Sequence, residues 1–321
     1  MQPEPAQNPD TVAGLGEFGF IERITGGRPQ PSTTLLGPGD DAAVVAAPDG
    51  RVVTSTDVLV EGVHFRLDWS SPEQVGAKAV AVNVADVAAM GAVPTGLLVG
   101  LACPPTLTAE IADRMTEGMW QEASRAGVGV VGGDVVSAGS IVISVTALGS
   151  LQGREPVTRS GARVGDVVAV RGRLGWSAAG LAVLSRGFRS PGTVVGAHRC
   201  PQPPYQAGPE AALAGATAMI DVSDGLLADL GHIAASSSVA IDIWSERMEV
   251  HQRLVDVASA LGSDPLHWVL TGGEDHALAA TFPSAAALPP GWRVIGTVRE
   301  GSGVTVNGRT YEQPAGWEHW R

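Results

Sequence analysis

The sequence has few of the residues on which several large classes of protein depend. Its 321 residues include two cysteines, Cys103 and Cys200, and neither belongs to a CxxC pair. Neither a disulfide framework nor a cysteine-based zinc site is therefore expected. Lysine occurs once, at Lys78, inside a helical pattern. Because a P-loop ends in Lys-Ser or Lys-Thr, the sequence excludes a P-loop, and a lysine Schiff-base enzyme would have to use this one residue.

Basic charge and uninterrupted apolar segments are also scarce. Lys and Arg total 21 against 33 Asp and Glu, which gives a formal net charge of −12 at pH 7. Such a chain is repelled by nucleic-acid backbones and by anionic membrane surfaces. Lys78, Asn83, Asp86 and Pro94 interrupt the most apolar stretch, so no membrane-spanning helix is expected. The first residues lack the basic and apolar segments of a secretory signal, and the expected location is the cytoplasm.

The composition is that of a folded protein with a real core. Hydrophobic residues make up 44% and charged residues 17% of the chain, which argues against global disorder. Predicted strands and helices mix in both halves without a fixed repeat. We therefore expect an α/β (α+β) fold with two domains, residues 1–150 and 151–321. A Gly/Pro/Ser/Thr-rich segment, residues 25–39, is predicted to be a surface loop.

Local signals predict individual elements. Ser71 has the properties of a helix N-cap, Pro72 suits the first helical position, and Gln74 completes a capping box. This helix is predicted to continue to about Met90. A strand is expected over 128–132, ahead of a Gly-Gly-Asp turn.

Acidic residues recur beside Gly, Ser or Thr at predicted strand ends and helix starts. Any one such motif is typical of a turn or a helix cap. Six in one chain, several beside hydrophobic strands, favour a shared chemical role. The six are Gly39-Asp40-Asp41, Ser55-Thr56-Asp57, Asn83-Val-Ala-Asp86, Gly132-Gly133-Asp134, Asp221-Val-Ser223-Asp224-Gly225 and Gly272-Gly273-Glu274-Asp275.

Asp86 is the hardest of these acids to explain as a turn residue. It lies in a predicted helix that is otherwise almost wholly apolar, and Asn83, three residues earlier, shares its face. A buried carboxylate is costly unless it is paired or bound to a metal. The alternative is a structural hydrogen bond to a neighbouring helix cap.

The donor types indicate which metal such a site would prefer. Carboxylates, hydroxyls and backbone carbonyls, with no grouped His or Cys, favour Mg²⁺, Mn²⁺ or Ca²⁺ over zinc. The EF-hand spacing is absent. Carboxylates drawn from several segments suit Mg²⁺ bound together with substrate phosphates, and Mg²⁺ would bridge an acidic protein to a polyanionic nucleotide.

Two further residues have a functional and a structural interpretation. Ser223 is predicted to be the N-cap of a helix whose N-terminus suits a phosphate, although Ser-Asp-Gly alone is often just a cap. His64 follows the Ser-Thr-Asp cluster, and a lone histidine near a strand end is more often structural.

Read in order, these segments resemble the thiamine-monophosphate kinases. That family belongs to the superfamily of aminoimidazole ribonucleotide synthetase, selenophosphate synthetase and the hydrogenase maturation factor. The match covers nearly the whole chain. Its segments are Gly-Asp-Asp-Ala-Ala, Ser-Thr-Asp-Val-Leu-Val-Glu-Gly-Val-His-Phe, Lys-Ala-Val-Ala-Val-Asn-Val-Ala-Asp-Val-Ala-Ala-Met-Gly-Ala, Gly-Gly-Asp, Thr-Arg-Ser-Gly-Ala, Asp-Val-Ser-Asp-Gly-Leu and Thr-Gly-Gly-Glu-Asp.

The resemblance implies a two-domain aminoimidazole ribonucleotide synthetase-like fold. Residues 1–150 would bind metal and nucleotide and form a homodimer through a mixed sheet, and residues 151–321 would form a C-terminal α/β domain. Nucleotide and metals would lie at the domain and subunit junction. The implied reaction is ATP-dependent phosphorylation of thiamine monophosphate to thiamine diphosphate, by direct in-line transfer assisted by several Mg²⁺ ions and without a phosphoenzyme.

The resemblance also implies roles for individual residues, with no catalytic residue distinct from the metal ligands. The implied Mg²⁺ ligands are Asp41, Ser55, Thr56, Asp57, Asp86, Asp134, Asp221 and Asp224. The implied nucleotide contacts are Gly133, Asp134, Arg159 and Ser223. The implied thiamine monophosphate contacts are His64, Glu274 and Trp317, with Trp320 as a rival to Trp317.

Three alternatives stay open. Another enzyme of the superfamily is one, but selenophosphate synthetases carry a reactive cysteine or selenocysteine near the N-terminus and the hydrogenase maturation factor ends in cysteine. Here the first cysteine is Cys103 and the last residue is Arg321. A non-catalytic regulator would bind ATP without producing ADP. A metal-dependent phosphatase would release phosphate without an acceptor.

Overall fold

The computed structural model of the protein describes residues 10–38 and 42–316. The described chain divides into two compact units. Unit 1 covers residues 10–38, 42–83 and 94–150, and unit 2 covers residues 84–93 and 151–316. Both contain helices and a sheet, which confirms the predicted α/β (α+β) class. The division of the chain at residue 150 and the roles assigned to its halves stay predictions.

Unit 1 is built on a four-stranded mixed sheet. Its elements in chain order are α1 (Val12–Thr25), β1 (Thr34–Leu36), β2 (Val44–Val45), β3 (Val53–Val60), α2 (Pro72–Ala89, whose last turns belong to unit 2), β4 (Val93–Cys103), α3 (Ala109–Ala126), β5 (Val130–Ser137) and β6 (Val142–Ser150). The strand order is β3-β6-β4-β5, so β3 and β5 form the two edges. The pair β3–β6 is antiparallel and the pair β4–β5 is parallel.

One face of this sheet is buried and the other is open among the described residues. On β6, Ile143, Val145 and Ala147 are fully buried, whereas the alternating side chains of Ser144 and Thr146 are half-buried. This alternation is the period of two that a strand covered on one face requires. The described residues of unit 1 therefore cover the second face of the sheet less completely than the first.

Helix α2 begins as the sequence predicts. Ser71 N–H donates to Gln74 Oε1 at 3.0 Å, and Gln74 N–H donates to Ser71 Oγ at 3.4 Å, which is a reciprocal capping box. Glycines then allow α2 and α3 to touch. A Cβ at Gly76 would lie 1.8 Å from Met115 O, and one at Gly118 would lie 1.9 Å from Glu73 O.

Unit 2 is built on a seven-stranded sheet with strand order β13-β12-β9-β11-β7-β10-β8. Its elements are β7 (Val167–Arg171), α4 (Trp176–Ser185), α5 (Gly192–Arg199), α6 (Ala207–Leu213), β8 (Ala218–Val222), α7 (Leu226–Ser237), β9 (Ala240–Ile243), α8 (Gln252–Leu261), α9 (Pro265–Thr271), β10 (Ala277–Phe282), β11 (Arg293–Arg299), β12 (Gly303–Val306) and β13 (Arg309–Thr310). All six residues of β10 are buried, and β7 and β8 flank this strand in the sheet.

The structure differs from the predicted elements in several places. Strand β5 continues to Ser137 instead of ending at residue 132, because its ladder with β4 extends to the pair Cys103–Ser137. The predicted loop 25–39 contains β1, which pairs with β2. Helices α5 and α9 were not predicted. In the part of the chain that the structure describes, no helix is long and apolar enough to cross a bilayer.

Candidate functional site

The Ser55-Thr56-Asp57 motif lies within the edge strand β3. Because side chains alternate along a strand, Ser55 and Asp57 project to the face opposite Thr56. Thr56 Oγ1 donates to Val145 O at 3.0 Å and accepts from Thr146 Oγ1 at 3.1 Å. The Thr56 hydroxyl is therefore engaged across the strand pair.

Asn83 ties this edge strand to helix α2. Asn83 is fully buried, its Oδ1 accepts from the Asp57 N–H at 2.8 Å, and its Nδ2 donates to Ala79 O at 2.9 Å. An edge strand leaves alternate N–H groups without a neighbouring strand, and here a side chain replaces one. The sequence indicated a polar face of α2 at Asn83, and the structure shows that this residue fixes the backbone at Asp57.

Gly133 and Asp134 lie on β5, the opposite edge of the same sheet. A Cβ at Gly133 would lie 2.0 Å from Val99 O, so the close approach of β4 and β5 requires glycine. Asp134 is exposed, and its Oδ1 accepts from the Val135 N–H at 2.8 Å. Two strands separate β5 from β3, and three strand spacings amount to about 14 Å. Asp57 and Asp134 of one chain therefore do not reach a common ion.

The turn after β3 fixes His64. Its Nδ1 accepts from the Val60 N–H at 3.0 Å, and its carbonyl accepts from Lys78 Nζ at 2.9 Å. With Nδ1 an acceptor, the neutral ring carries its proton on Nε2, an assignment made from the hydrogen-bond partner. Lys78 is 2% exposed, so the single lysine of the chain supports the His64 turn and does not present a reactive amine at the surface.

In unit 2, three acids act on one buried histidine. Asp221, near the end of β8, places Oδ2 3.0 Å from His276 Nδ1. Burial opposes protonation of His276, but the hydrogen bond and charge of Asp221, with the charges of Glu274 and Asp86, raise the pKa of this histidine. Asp86 and Glu274 therefore lie in the electrostatic environment of the same ring as Asp221, although their motifs are far apart in the sequence.

A second acid organises the turn that contains Ser223 and Asp224. Asp229 Oδ2 accepts from the N–H groups of Asp224 at 3.1 Å and Gly225 at 3.0 Å. Burial, then the charges of Asp221 and Asp224, raise the pKa of Asp229 to about 7. Asp229 was not identified from the sequence. Its signal is that it lies in the first turn of α7, a helix that begins directly after Asp224-Gly225, where an acid can accept from N–H groups at the helix start.

The prediction that Ser223 caps α7 is wrong. The N-cap is Gly225, with a φ of +132°, and no side chain caps this helix. The carboxylate of Asp229 takes the place of a cap, because it accepts from the two N–H groups that precede the helix. The Ser223 side chain is therefore not needed for the helix start.

The Gly272–His276 segment packs against this turn with an unusual backbone. Glu274 and His276 have φ values of +62° and +51°, in the left-handed region that residues other than glycine seldom adopt. Glu274 N–H donates to Ser223 O at 2.7 Å. A Cβ at Gly273 would lie 2.3 Å from that same oxygen, so only glycine fits there. The Ser223 and Glu274 motifs are thus direct neighbours.

Arg159 lies in an exposed connection before β7. Its carbonyl accepts from Ser237 Oγ at 2.9 Å, and Thr158 O accepts from the Met219 N–H of β8 at 3.2 Å. These bonds hold the segment beside β8, while the Arg159 side chain is exposed. Asp41, Trp317 and Trp320 lie outside the described residues.

The acids gathered in unit 2 do not by themselves form a closed metal cage. Within residues 10–38 and 42–316, no three His, Cys, Asp or Glu side chains are grouped as they would be around a metal ion. The donors present are carboxylates, a serine hydroxyl and backbone carbonyls. That set fits Mg²⁺, which keeps several water ligands and takes one or two carboxylates together with substrate phosphates.

Comparison with known proteins identifies relatives. The family model of AIR synthase related protein, N-terminal domain, matches residues 39–151. The chain is 53% identical over 310 residues to the thiamine-monophosphate kinase of Mycobacterium tuberculosis (strain CDC 1551 / Oshkosh), covering 96% of this chain and 92% of that one. The crystal structure of thiamine monophosphate kinase from Aquifex aeolicus matches with a TM-score of 0.76 at 35% identity, over 82% of this chain and 90% of that one. AaThiL complexed with AMPPCP and TMP matches with a TM-score of 0.80 at 35% identity, over 95% and 97%.

Proposed function

Because the chain belongs to the thiamine-monophosphate kinase family, we propose that it transfers the γ-phosphoryl group of ATP to thiamine monophosphate and forms thiamine diphosphate. The family resemblance inferred from the motifs and the expected aminoimidazole ribonucleotide synthetase-like fold are both confirmed. The observation that carries the proposal is in unit 2, where Asp86, Asp221 and Glu274 act on His276 and the Glu274 backbone is bonded to Ser223.

The reaction requires positioning of the substrates and neutralisation of their charge more than acid–base chemistry. Phosphoryl transfer goes through a loose transition state with charge spread over the transferred oxygens. The acceptor is itself a phosphate and already anionic, so no strong general base is needed. We propose direct transfer with no phosphoenzyme, since no residue of the chain is required as a nucleophile.

Several Mg²⁺ ions are proposed as cofactors. When bound, Mg²⁺ neutralises donor and acceptor phosphates and holds them in line. The residues proposed to hold it are Asp41, Ser55, Thr56, Asp57, Asp86, Asp134, Asp221 and Asp224. Asp229 and Asn83 keep the backbone at Asp224 and Asp57 in place for this role.

The remaining proposed contacts follow the chemistry of each side chain. Arg159 offers a planar fork, and Gly133, Asp134 and Ser223 offer backbone and hydroxyl groups, to the nucleotide. The His64 Nε2–H is a donor for an anionic oxygen of thiamine monophosphate. Glu274 accepts from the aminopyrimidine or offsets the thiazolium charge. An aromatic face suits that cation, and Trp317, with Trp320 as its rival, is proposed for it.

We propose that the chain is a cytoplasmic homodimer paired through the open face of the unit 1 sheet. Val58, Leu98 and Val136 are 45%, 39% and 50% exposed on strands of this sheet. Burying such apolar side chains against a second copy is favourable. Two copies also offer a way for the β3 acids of one and the β5 acid of the other to act together, which one sheet does not allow.

Product analysis with ATP, Mg²⁺ and thiamine monophosphate tests the function. We expect thiamine diphosphate and ADP in equal amounts from the parent, and a loss of at least about a hundredfold in rate with Asp86→Asn. ADP without thiamine diphosphate would indicate a phosphatase-like activity. ATP binding with no ADP would indicate a regulator. Normal turnover by Asp86→Asn would remove Asp86 from the metal site.

A further inference from the structure

A buried histidine touches the carboxylate of Glu274. His198, near the C-terminal end of α5, is 6% exposed, and its Nδ1 lies 3.3 Å from Glu274 Oε2. The same Nδ1 lies 3.0 Å from the Oγ of Ser177, which is 1% exposed on α4. We call Ser177, His198 and Glu274 the Glu274 clamp. Sequence reasoning identified only one of these three residues.

The Glu274 clamp is not a nucleophilic triad. In a triad the histidine uses one ring nitrogen for the nucleophile and the other for the carboxylate. Here both oxygens approach Nδ1, and Ser177 is enclosed in the protein. Since an ionised carboxylate only accepts, we assign the ring proton to Nδ1, where it faces the oxygens of Glu274 and Ser177, an assignment made from these partners. The cluster is arranged to orient a carboxylate.

Close helix packing brings His198 within reach of Glu274. A Cβ at Gly180 of α4 would lie 2.2 Å from Val194 O and 2.9 Å from His198 Cβ, so glycine is what allows α5 to approach. Asp275, the residue after Glu274, is anchored to α4, because the Ser177 N–H donates to Asp275 Oδ1 at 2.8 Å. Both Glu274 and Asp275 are thus connected to Ser177.

Glu274 is held from its backbone as well. Its φ of +62° and the hydrogen bond from its N–H to Ser223 O fix the direction in which the side chain leaves the chain. Its side chain is about one-third exposed, whereas those of His198 and Ser177 are almost wholly buried. The accessible end of the cluster is therefore the carboxylate alone.

We propose that His198 is a positioning residue that holds the Glu274 carboxylate toward the cationic, amino-bearing part of the acceptor, and so sets the affinity for thiamine monophosphate without taking part in the transfer itself. This rests on the proposed function and on Glu274 as a substrate contact. His198 acts through Glu274, so its effect belongs to the acceptor and not to ATP.

The test replaces the His198 ring with side chains in which the hydrogen-bond donor is kept in place, displaced or absent. In His198→Asn, Nδ2 takes the position of the ring Nδ1, in His198→Gln the donor is displaced by one bond, and His198→Leu has no donor. We expect His198→Leu and His198→Gln to raise the KM for thiamine monophosphate about tenfold, the effect of losing a hydrogen bond to a charged group. The KM for ATP is expected to change less than about twofold, and His198→Asn to restore most of the acceptor affinity. His232→Asn, on the exposed side of α7, is the matched control, with no change expected.

Equal changes in both KM values, or no difference between the Asn and Gln variants, would overturn the proposal. The Asn and Gln pair gives an answer even if His198→Leu does not fold, which thermal unfolding of each variant will show. Calorimetric titration of thiamine monophosphate against each variant provides a binding constant that is independent of turnover.

A double-mutant cycle with Glu274→Ala separates this proposal from the proposed function. If His198 acts through Glu274, adding His198→Leu to Glu274→Ala changes the KM for thiamine monophosphate by less than about twofold. If the parent forms no thiamine diphosphate, the proposed function fails. If the parent does so and Glu274→Ala leaves that KM unchanged, the function stands and the role of the Glu274 clamp is wrong. If Glu274→Ala raises it and His198→Leu does not, Glu274 is a substrate contact that needs no positioning by His198.

Discussion

The Oδ2 of Asp221 lies 3.0 Å from the Nδ1 of His276, although 55 positions separate the two residues in the chain. Both side chains are 7% exposed. The pair joins the end of β8 to the residue that precedes β10, and these two strands are neighbours in the sheet. The hydrogen bond gives the buried Asp221 carboxylate a partner. The proposed site residues Asp86 and Glu274 lie near the same ring, since their charges also raise the pKa of His276.

Removing the histidine is expected to destabilise the fold. His276→Leu leaves the Asp221 carboxylate buried without its partner, and we expect a loss of about 3 kcal/mol in the free energy of unfolding. His276→Asn keeps a donor near the Nδ1 position and tolerates the left-handed backbone, whose φ is +51°. We expect the Asn variant to lose less than half as much, as measured by urea unfolding. Equal losses would show that the pair contributes little.

Asp275 gives a stability that depends on pH. Burial raises the pKa of Asp275 to about 7 from its ordinary 3.8, and the N–H groups of Ser177, Gly175 and Trp176 oppose this only in part. At pH values between 3.8 and about 7, the Asp275 carboxyl has lost its proton in the unfolded chain but retains it in the folded chain. The contribution of Asp275 is therefore fully present below about pH 4 and decreases as the pH rises toward 7, with a slope of at most about 1.4 kcal/mol per pH unit.

The direction of this pH dependence is checked by denaturant unfolding of the parent and of Asp275→Asn at pH values about one unit apart, from about 4.5 to about 7.5. The stability advantage of the parent over the variant is expected to shrink as the pH rises. The variant also loses one of the two acceptors at the start of α4, where Trp176 and Ser177 donate, so it is expected to be less stable at acid pH. An advantage that grows with pH would contradict the raised pKa.

The close approach of two turns makes Gly273 sensitive. A Cβ at Gly273 would lie 2.3 Å from Ser223 O, so Gly273→Ala must push apart the turns that hold Ser223 and Glu274. We expect a loss of about 1–3 kcal/mol in stability together with a fall in kcat/KM. Gly231→Ala in α7 is the matched control, because nothing lies within 4 Å of the added methyl. It is expected to stabilise the helix by about 0.5–1 kcal/mol, and similar effects at both positions would contradict the steric argument.

Elements with local signals could be predicted from the sequence. The capping box of Ser71 and Gln74 and the apolar stretch that follows determine where α2 begins. Helix α9 had a comparable signal that was missed: Asp264 Oδ1 accepts from the Leu266 N–H at 2.9 Å, with Pro265 at the first position. Such signals act within one helical turn, and so a single sequence contains them completely.

The candidate acids could be found because their flanking glycines and hydroxyl residues form recognisable motifs. Their supporting residues could not. Asp229, His198 and Lys78 lie in helices whose patterns indicate only packing, and their partners are Gly225, Glu274 and His64. Contacts of this kind depend on how helices and turns pack, and no local spacing encodes them.

The order of residues along the chain was enough to establish the α/β class, the acidic motifs and the family, because composition, periodicity and short motifs act over a few positions. Tertiary structure decided the rest. It placed Asp57 and Asp134 on opposite edges of one sheet, turned the Thr56 hydroxyl away from its neighbours, and brought His198 against Glu274. The physical reason is that strand order and helix contact result from burying apolar surface across the whole unit, which pairs residues regardless of their distance in sequence.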